Sequence, residues 1–330
     1  MLIVEITLAI FGLILLSAGG YVLVAGGAAL AKRLQISGMV IGLTVVAYGT
    51  STPELAASLT AVFNSHTDLI LGNIVGSNIS NIGMVIGISA MIATGLVIDG
   101  KKRNGLGMRR RVVTRWLPIM IFVSFLMLLL SFDGEISQID GAILVAGLIV
   151  FTIYIVKTAK KQIPVGDVIE DEDPSGDMAI SRFKVNTTPR AIFAVIVGAV
   201  LLFMGGDLTV DGAVNIAEDL GISELVIGVV IVAIGTSLPE LITSVIAIRK
   251  KQMDIGIGNI VGSNIYNILL IGGISATLIG IPVSTDVFSN YYIMIAFSLV
   301  LFIGFRKFIP RFVGIGLAMA FVAYLVSLLV

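Results

Sequence analysis

A chain of 330 residues that is 57% hydrophobic and only 13% charged, with a mean hydropathy of +1.07, carries more apolar surface than a soluble fold can cover, and reads as an all-α integral membrane protein. Its 21 basic and 21 acidic residues cancel, so bulk charge gives no reason to expect a nucleic-acid partner. With no cysteine and a single histidine, His66, thiolate and multi-histidine metal centres are excluded, and any metal must be held by oxygen.

Apolar stretches of about 20 residues, the length that crosses a bilayer, predict ten transmembrane helices at about 6–30, 38–63, 69–94, 113–131, 138–157, 190–216, 223–248, 255–281, 287–305 and 311–330. All 21 Lys and Arg residues fall in alternate loops, after spans one, three, five, seven and nine. The intervening loops carry Asp68, Asp133, Glu135, Glu218, Asp219, Glu224 and Asp286. The positive-inside rule then puts both termini outside, in a multi-pass protein of the plasma membrane. A wrong span count would scatter the basic residues over both sides. His66 falls in the outer turn after span two.

The chain divides into a first five-helix unit over 1–157, a linker over 158–189 and a second unit over 190–330. The linker, with Asp167, Glu170, Asp171, Glu172, Asp173, Pro174 and Gly176 among basic residues, has the composition of a flexible cytoplasmic tether. A regulatory ion-binding role is its alternative.

Sliding the chain on itself aligns Ile36–Ile82 with Ile222–Ile268 without a gap, at about 26 identities in 47 positions. The same offset carries Gly12, Gly19, Gly20 and Gly26 onto Gly198, Gly205, Gly206 and Gly212. Because five spans separate equivalent points, the second copy enters the membrane from the opposite side. Such inverted repeats characterise secondary transporters, whose substrate site lies at the bilayer midplane between the copies.

The best-matched blocks are Gly49-Thr-Ser-Thr-Pro-Glu54 with Gly235-Thr-Ser-Leu-Pro-Glu240, and Gly72-Asn-Ile-Val-Gly-Ser-Asn-Ile-Ser-Asn81 with Gly258-Asn-Ile-Val-Gly-Ser-Asn-Ile-Tyr-Asn267. Both pairs lie within apolar spans. A carboxylate at the bilayer centre costs about 3 kcal/mol and must find a counter-charge or a proton. Every Lys and Arg lies at or near a span end, away from the bilayer centre, so Glu54 and Glu240 are expected to bind a cation, with protonation as the alternative. Pro53 and Pro239 cannot bond the carbonyls one turn back, so the turns from Ala47 to Thr50 and from Ala233 to Thr236 should unwind. Exposed backbone at that depth is tolerated where it lines a polar cavity. Spans two, three, seven and eight are thus expected to be broken around a midplane cation site. Thr50 and Glu54 are four residues apart, as are Asn73, Ser77 and Asn81, so each helix presents a stripe of oxygen atoms. Ser77, Ser263, Asn81 and Asn267 are the better ligand candidates, with close helix packing the alternative role for Asn73 and Asn259. Two carboxylates with hydroxyl, amide and backbone oxygens can provide the six to eight ligands that Ca2+ prefers.

At these residues the sequence resembles the calcium/cation antiporter superfamily, in particular its prokaryotic sodium/calcium exchanger branch. The paired Gly-Thr-Ser-x-Pro-Glu and Gly-Ser-Asn-Ile-x-Asn motifs carry the resemblance, which extends over all ten spans. It implies electrogenic exchange of about three Na+ for one Ca2+ by alternating access, and no enzymatic activity. The transported Ca2+ and Na+ would be the only bound ions, with no resident cofactor and no obligate protein partner beyond the lipid bilayer. Carried over by position, Glu54 and Glu240 would ligate Ca2+ with the backbone carbonyls of Thr50 and Thr236. Na+ would draw on the glutamates, the Ala47 and Ala233 carbonyls, and Ser51, Ser77, Ser237 and Ser263. Helices one and six would slide as the gate, a role their glycines Gly19, Gly20, Gly205 and Gly206 suit. Some relatives, including potassium-dependent exchangers, carry aspartate where Asn267 stands, which argues against K+ dependence here. Thr52 also departs from the leucine common at its position, which Leu238 retains.

Three other readings compete. A proton/calcium antiporter on the same fold is the alternative, since carboxylates without cations take protons; proton-coupled relatives usually show Gly-Asn-x-x-Glu instead. A passive channel fits inverted halves less well than alternating access. An intramembrane hydrolase would need a nucleophile and base that the spans do not provide.

Overall fold

The computed structural model describes residues 2–64, 67–94, 96–98, 101–159, 185, 187–220 and 233–328. His66, most of the 158–189 linker and the start of the seventh predicted span lie outside the described residues.

Seven helices among the described residues are long and apolar enough to cross a membrane, and two shorter apolar ones, Gly38–Thr50 and Arg311–Ser327, accompany them. In chain order the helices are α1 (Leu2–Leu34), α2 (Gly38–Thr50), α3 (Thr52–Phe63), α4 (Thr67–Ser80), α5 (Gly87–Ile92), α6 (Leu117–Leu130), α7 (Gln138–Ala159), α8 (Thr188–Asp219), α9 (Ala233–Thr236), α10 (Leu238–Arg249), α11 (Met253–Tyr266), α12 (Gly273–Ile279), α13 (Val287–Val300) and α14 (Arg311–Ser327). Their ends follow from local chemistry. Ser37 caps α2 by accepting from the Val40 amide at 3.4 Å, and Thr187 does the same for α8 through Arg190 at 3.4 Å, with Pro189 in the first turn. Gly280, at φ 67°, stops α12 where a side chain would be strained.

Burial separates centre from periphery. The span Met253–Ile279 is 94% buried and Leu69–Ile92 is 78% buried, against 22% for Gln138–Ala159 and 28% for Thr188–Asp219. The central helices are therefore α4–α5 and α11–α12, the ones that carry the repeated Gly-Ser-Asn blocks. Around them large apolar side chains such as Phe122, Ile139, Phe193 and Met319 face outward. Such a surface is stable only against lipid.

Spans three and eight depart from the expected breaks. Asn81–Ile86 joins α4 to α5 and Asn267–Gly272 joins α11 to α12, each as a π-helical stretch with no non-helical residue. These helices widen rather than interrupt; a π segment frees backbone groups without an open turn and is common at functional sites.

Three short strand pairs qualify the all-α expectation. β1 (Leu96–Ile98) pairs with β2 (Lys101–Arg103), β3 (Gly105–Gly107) with β6 (Phe308–Pro310), and β4 (Glu135–Ile136) with β5 (Ile281–Pro282), all antiparallel. They knot loops together: Leu106 pairs with Ile309 and Ile136 with Ile281, and all four side chains are buried.

α1 packs along α8 over most of its length. Gly12 and Gly19 meet Gly205 and Gly198 across the crossing, Gly26 meets Ala191 and Gly212 meets Ala9, so close that a Cβ on Gly19 would lie 2.7 Å from the Leu202 nitrogen and one on Gly205 2.5 Å from the Leu16 nitrogen. Small residues at such crossings let backbones touch, the usual basis of helix association in lipid.

Candidate cation site

Two helix breaks build the site. α2 ends at Thr50, and Ser51 turns the chain at φ −84° and ψ 9° before α3 begins with Pro53 in its first turn. α9 ends at Thr236, and Ser237 turns at φ −89° and ψ 3° before α10 begins with Pro239. Proline suits a first turn because its missing N–H would be unpaired there in any case. Thr50 and Glu54 therefore sit on opposite sides of a break rather than on one continuous helical stripe. The break puts Glu54 in the first turn of α3 and Glu240 in that of α10, where the positive end of the helix dipole favours a carboxylate.

Both glutamates are buried, at 1% and 0% exposure, and lie within electrostatic reach of each other. Glu240 Oε1 accepts from Ser51 Oγ at 3.2 Å and from Ser263 Oγ at 3.3 Å, so hydroxyls from both repeats converge on one oxygen. Thr50 Oγ1 donates to Asn259 Oδ1 at 2.9 Å and stands 3.4 Å from Ser263 Oγ. On the other side Asn73 Nδ2 donates to the Glu54 carbonyl at 3.0 Å and to Ser58 Oγ at 2.8 Å, while Ser77 Oγ reaches Asn73 Oδ1 at 3.5 Å. Asn259 Nδ2 repeats the brace to Ser244 Oγ at 3.1 Å. Asn73 and Asn259 thus tie neighbouring helices together, in line with a packing role.

Several buried oxygens are left over. Among the described residues both carboxylate oxygens of Glu54, Glu240 Oε2, Ser237 Oγ, Asn81 Oδ1 and Asn267 Oδ1 have no hydrogen-bond partner. A buried acceptor without a donor costs about 1–3 kcal/mol, more when charged. Ser80, Ser89, Thr243 and Ser275 hydroxyls are unpaired too, but unpaired carboxylate oxygens with no arginine or lysine bonded to them fit the coordination of a hard cation. Among the described residues no group of three or more His, Cys, Asp or Glu gathers, so these two carboxylates would supply the site's full negative charge.

Not every expected ligand is free. The Ala47 carbonyl accepts from the Ser51 amide at 3.0 Å and from Thr50 Oγ1 at 3.3 Å, so the unwinding expected there falls one residue later, at Ser51. Ala233 begins α9, and its carbonyl belongs to the turn ahead of the Ser237 break. Two residues passed over in the sequence complete the centre: Asn81 Nδ2 donates to Asn264 Oδ1 at 3.1 Å, and Asn267 Nδ2 donates to Asn78 Oδ1 at 3.0 Å. These reciprocal bonds fix the amides so that the Asn81 and Asn267 oxygens are the ones left over. Their identity in both repeats was the available signal.

The proposed gate glycines fall into two sets. Gly19 and Gly205 lie in the α1–α8 contact, whereas Gly20 faces Ile242, Thr243 and Ile246 of α10, and Gly206 faces Pro239.

The sodium/calcium exchanger protein family matches residues 4–157 and 190–330. The chain belongs to that family. It is 32% identical to the sodium/calcium exchanger MaX1 of Methanosarcina acetivorans over 99% of each protein, and 30% identical to the inner membrane protein YrbG of Escherichia coli over 97% of this chain and 95% of that one. A solved structure of the sodium-calcium exchanger NCX_Mj, soaked with Na+ and Sr2+, superposes with a TM-score of 0.78 at 30% identity, covering 98% of each chain. Family membership makes the molecule a membrane transporter of the cation/Ca2+ antiporter type, and the region left unmatched by the family model corresponds to the acidic linker.

Proposed function

We propose that the protein is a secondary active antiporter that exchanges Na+ for Ca2+ by alternating access. The observation that carries the reading is the pair of buried glutamates, Glu54 and Glu240, with three of their four carboxylate oxygens unpaired and hydroxyls of both repeats converging on the fourth. In this reading Glu54 and Glu240 bind Ca2+ together with the Thr50 and Thr236 carbonyls. Na+ competes for the same carboxylates with help from Ser51, Ser77, Ser237 and Ser263. The Ala47 carbonyl joins the Na+ ligands only after releasing its two hydrogen bonds, and Ala233 contributes the equivalent carbonyl. Asn81 and Asn267 complete the shell.

Ca2+ neutralises two carboxylates, whereas three Na+ leave one positive charge, so exchange at about three Na+ per Ca2+ responds to voltage. Asn267 in place of an acid gives the site no third carboxylate and makes exchange independent of K+. Ten spans in two inverted five-helix units, broken in spans two and seven, support the alternation. The strand pairs agree with that count: β3–β6 joins the loop after span three to the loop after span nine, and β4–β5 joins those after spans four and eight. Each pair links loops that ten spans assign to one side. With basic loops inside, both termini are outside and the membrane is the plasma membrane. α1 and α8, joined through their glycines, move as the gate. Two facing carboxylates could also share protons, so proton/calcium exchange is the second reading.

Ca2+ uptake into proteoliposomes decides between them. Uptake that requires internal Na+, is unchanged by K+ and is accelerated by an inside-positive potential would agree with Na+ coupling. Uptake driven by a pH gradient alone would move the assignment to proton coupling, and uptake with no counter-ion would overturn the antiporter.

A further inference from the structure

The two asparagine bonds at the centre of the site are backed by methionines from helices outside the repeated motifs. The fourth and ninth predicted spans carry a matched block of their own, Ile119-Met-Ile-Phe-Val-Ser124 on α6 and Ile293-Met-Ile-Ala-Phe-Ser298 on α13, identical at four of six positions. In both, the serine hydroxyl donates to the methionine carbonyl, at 3.0 and 2.8 Å, and Met120 and Met294 are buried. Each sulfur meets one asparagine. Asn264 Nδ2 donates to Met120 Sδ and Asn78 Nδ2 to Met294 Sδ, both at 3.5 Å.

A carboxamide is nearly symmetric in shape, so its hydrogen-bond partners rather than its packing decide which way the oxygen and nitrogen point. A thioether accepts and cannot donate, so the amide beside it turns its NH2 to the sulfur and its oxygen away. At Asn264 that oxygen accepts from Asn81 Nδ2 at 3.1 Å, which leaves Asn81 Oδ1 as the unpaired end. At Asn78 the same order runs to Asn267 Nδ2 at 3.0 Å and leaves Asn267 Oδ1. Reversing either first amide would reverse the second, and would present an NH2 group where an oxygen now stands.

The two relays differ in one bond. Asn78 Nδ2 also donates to the Asn264 carbonyl at 3.2 Å, an acceptor that fixes its orientation with or without Met294. Asn264 Nδ2 meets only the Met120 sulfur among the described residues. We infer, resting on Na+/Ca2+ exchange at this site, that Met120 is a positioning residue for it: through Asn264 it keeps Asn81 Oδ1 presented as a ligand oxygen, while the matching role of Met294 is duplicated by the Asn264 carbonyl.

Met120→Leu and Met294→Leu keep the side-chain volume and remove the acceptor, so both variants should fold and melt alike. Two measurements on the purified full chain separate them. In side-chain amide NMR spectra of protein labelled at asparagine nitrogen, without Na+ or Ca2+, Met120→Leu should split or broaden the Asn264 and Asn81 signals. Met294→Leu should leave those of Asn78 and Asn267 single. In equilibrium titrations with radiolabelled Ca2+, Met120→Leu should raise the midpoint about twofold or more, since an amide free to take two orientations is competent in about half the molecules. Met294→Leu should not move it. A pure packing role predicts that the two variants change both measurements equally or leave both unchanged, and either result overturns the inference. Split signals in Met120→Leu with an unmoved Ca2+ midpoint also overturn it, because Asn81 would then be oriented without serving the ion. A parent that binds no Ca2+ refutes the exchange reading instead, and the relay then stands or falls on the spectra alone.

Discussion

Ser51 and Ser237 break their helices at ψ 9° and 3°, and Asn81 and Asn267 make the same bond to each other's neighbour at 3.1 and 3.0 Å. Gly20 and Gly206 are matched just as well in sequence, yet both face α10: Gly20 meets Ile242, Thr243 and Ile246, while Gly206 meets Pro239. Two-fold symmetry would have sent Gly206 to α3. The copies thus agree in their helix breaks and asparagine bonds, and disagree at the carboxylates, where Glu240 accepts from Ser51 and Ser263 and the Glu54 carboxylate is unpaired, and where α1 and α8 rest on them. Under the proposed alternating access, symmetric sequence with asymmetric contacts of α1 and α8 is what one of two states would show, the other being reached when the copies exchange roles.

The carboxylates give the largest effect by which that symmetry can be broken. Glu54→Gln and Glu240→Gln each remove one of the two charges proposed to face the cation. At an effective dielectric constant near 20, one charge pair at about 4 Å contributes about 4 kcal/mol, or about a thousandfold in affinity. Both variants should abolish Ca2+ exchange in proteoliposomes while keeping the parent's elution profile. Exchange surviving either one would remove that glutamate from the site. The two should differ in stability: Glu240 anchors Ser51 and Ser263, whereas the Glu54 carboxylate anchors neither.

The next effect lies in the gate. Gly19→Val or Gly205→Val forces a branched side chain into backbone of the opposite helix. Overpacking of this kind costs about 1–3 kcal/mol, so melting in detergent should fall by several degrees and transport should slow. Gly76→Ala, with open space at its Cβ position, should leave melting unchanged. If Gly19→Val melts like the parent, α1 and α8 do not travel as a packed pair.

The asparagine exchange is smaller and tests the symmetry itself. Asn78→Ala strands the Asn267 amide and Asn264→Ala strands that of Asn81. Each should cost about 1–3 kcal/mol in a denaturant or thermal titration, with Asn78→Ala the costlier because Asn78 Nδ2 also donates to the Asn264 carbonyl at 3.2 Å. Equal costs would mean that the bond to the Asn264 carbonyl contributes nothing measurable.

Much of this was legible in the residues, and the exceptions share a cause. Apolar stretches of about 20 residues anticipated the seven long apolar helices among the described residues, and an uncompensated carboxylate in an apolar helix is conspicuous because its alternatives are few. The π segments were invisible because a helix one residue wider per turn keeps the same apolar character. Asn78 and Asn264 were missed because they stand one residue from the Ser77 and Ser263 stripe and face the opposite repeat. The β1–β2 hairpin had a signal in Asp99-Gly100 between its strands, masked by the basic loop around it. The asymmetry of Gly20 and Gly206 could not be read at all, since a sequence encodes both states of a gate and a structure holds one.

Lys250 offers the finest test of that captured state. It caps α10 and its Nζ stands 3.0 Å from the centre of the Tyr21 ring on α1. The repeat matches Tyr21 to Asp207 and Lys250 to Asn64, so the symmetric position has no such contact to offer. Burial disfavours the ammonium and lowers its pKa from 10.5 to about 8, so the ring's attraction offsets only part of the lost hydration. In a state where α1 withdraws, the amine regains water and an ordinary pKa. The present arrangement therefore binds fewer protons between about pH 8 and 10.5, and raising the pH through that window should favour it. Spin labels at Lys32→Cys and Gln252→Cys in the cysteine-free chain would report the gate distance. The population matching the present structure should grow from pH 7 to pH 9.5. Lys250→Gln should hold that population high at both pH values, because it removes the charge whose burial opposes the contact. A distance distribution that responds to pH equally in the parent and in Lys250→Gln would separate the gate from this lysine, and leave the glycine contacts of α1 with α10 as its sole asymmetric support.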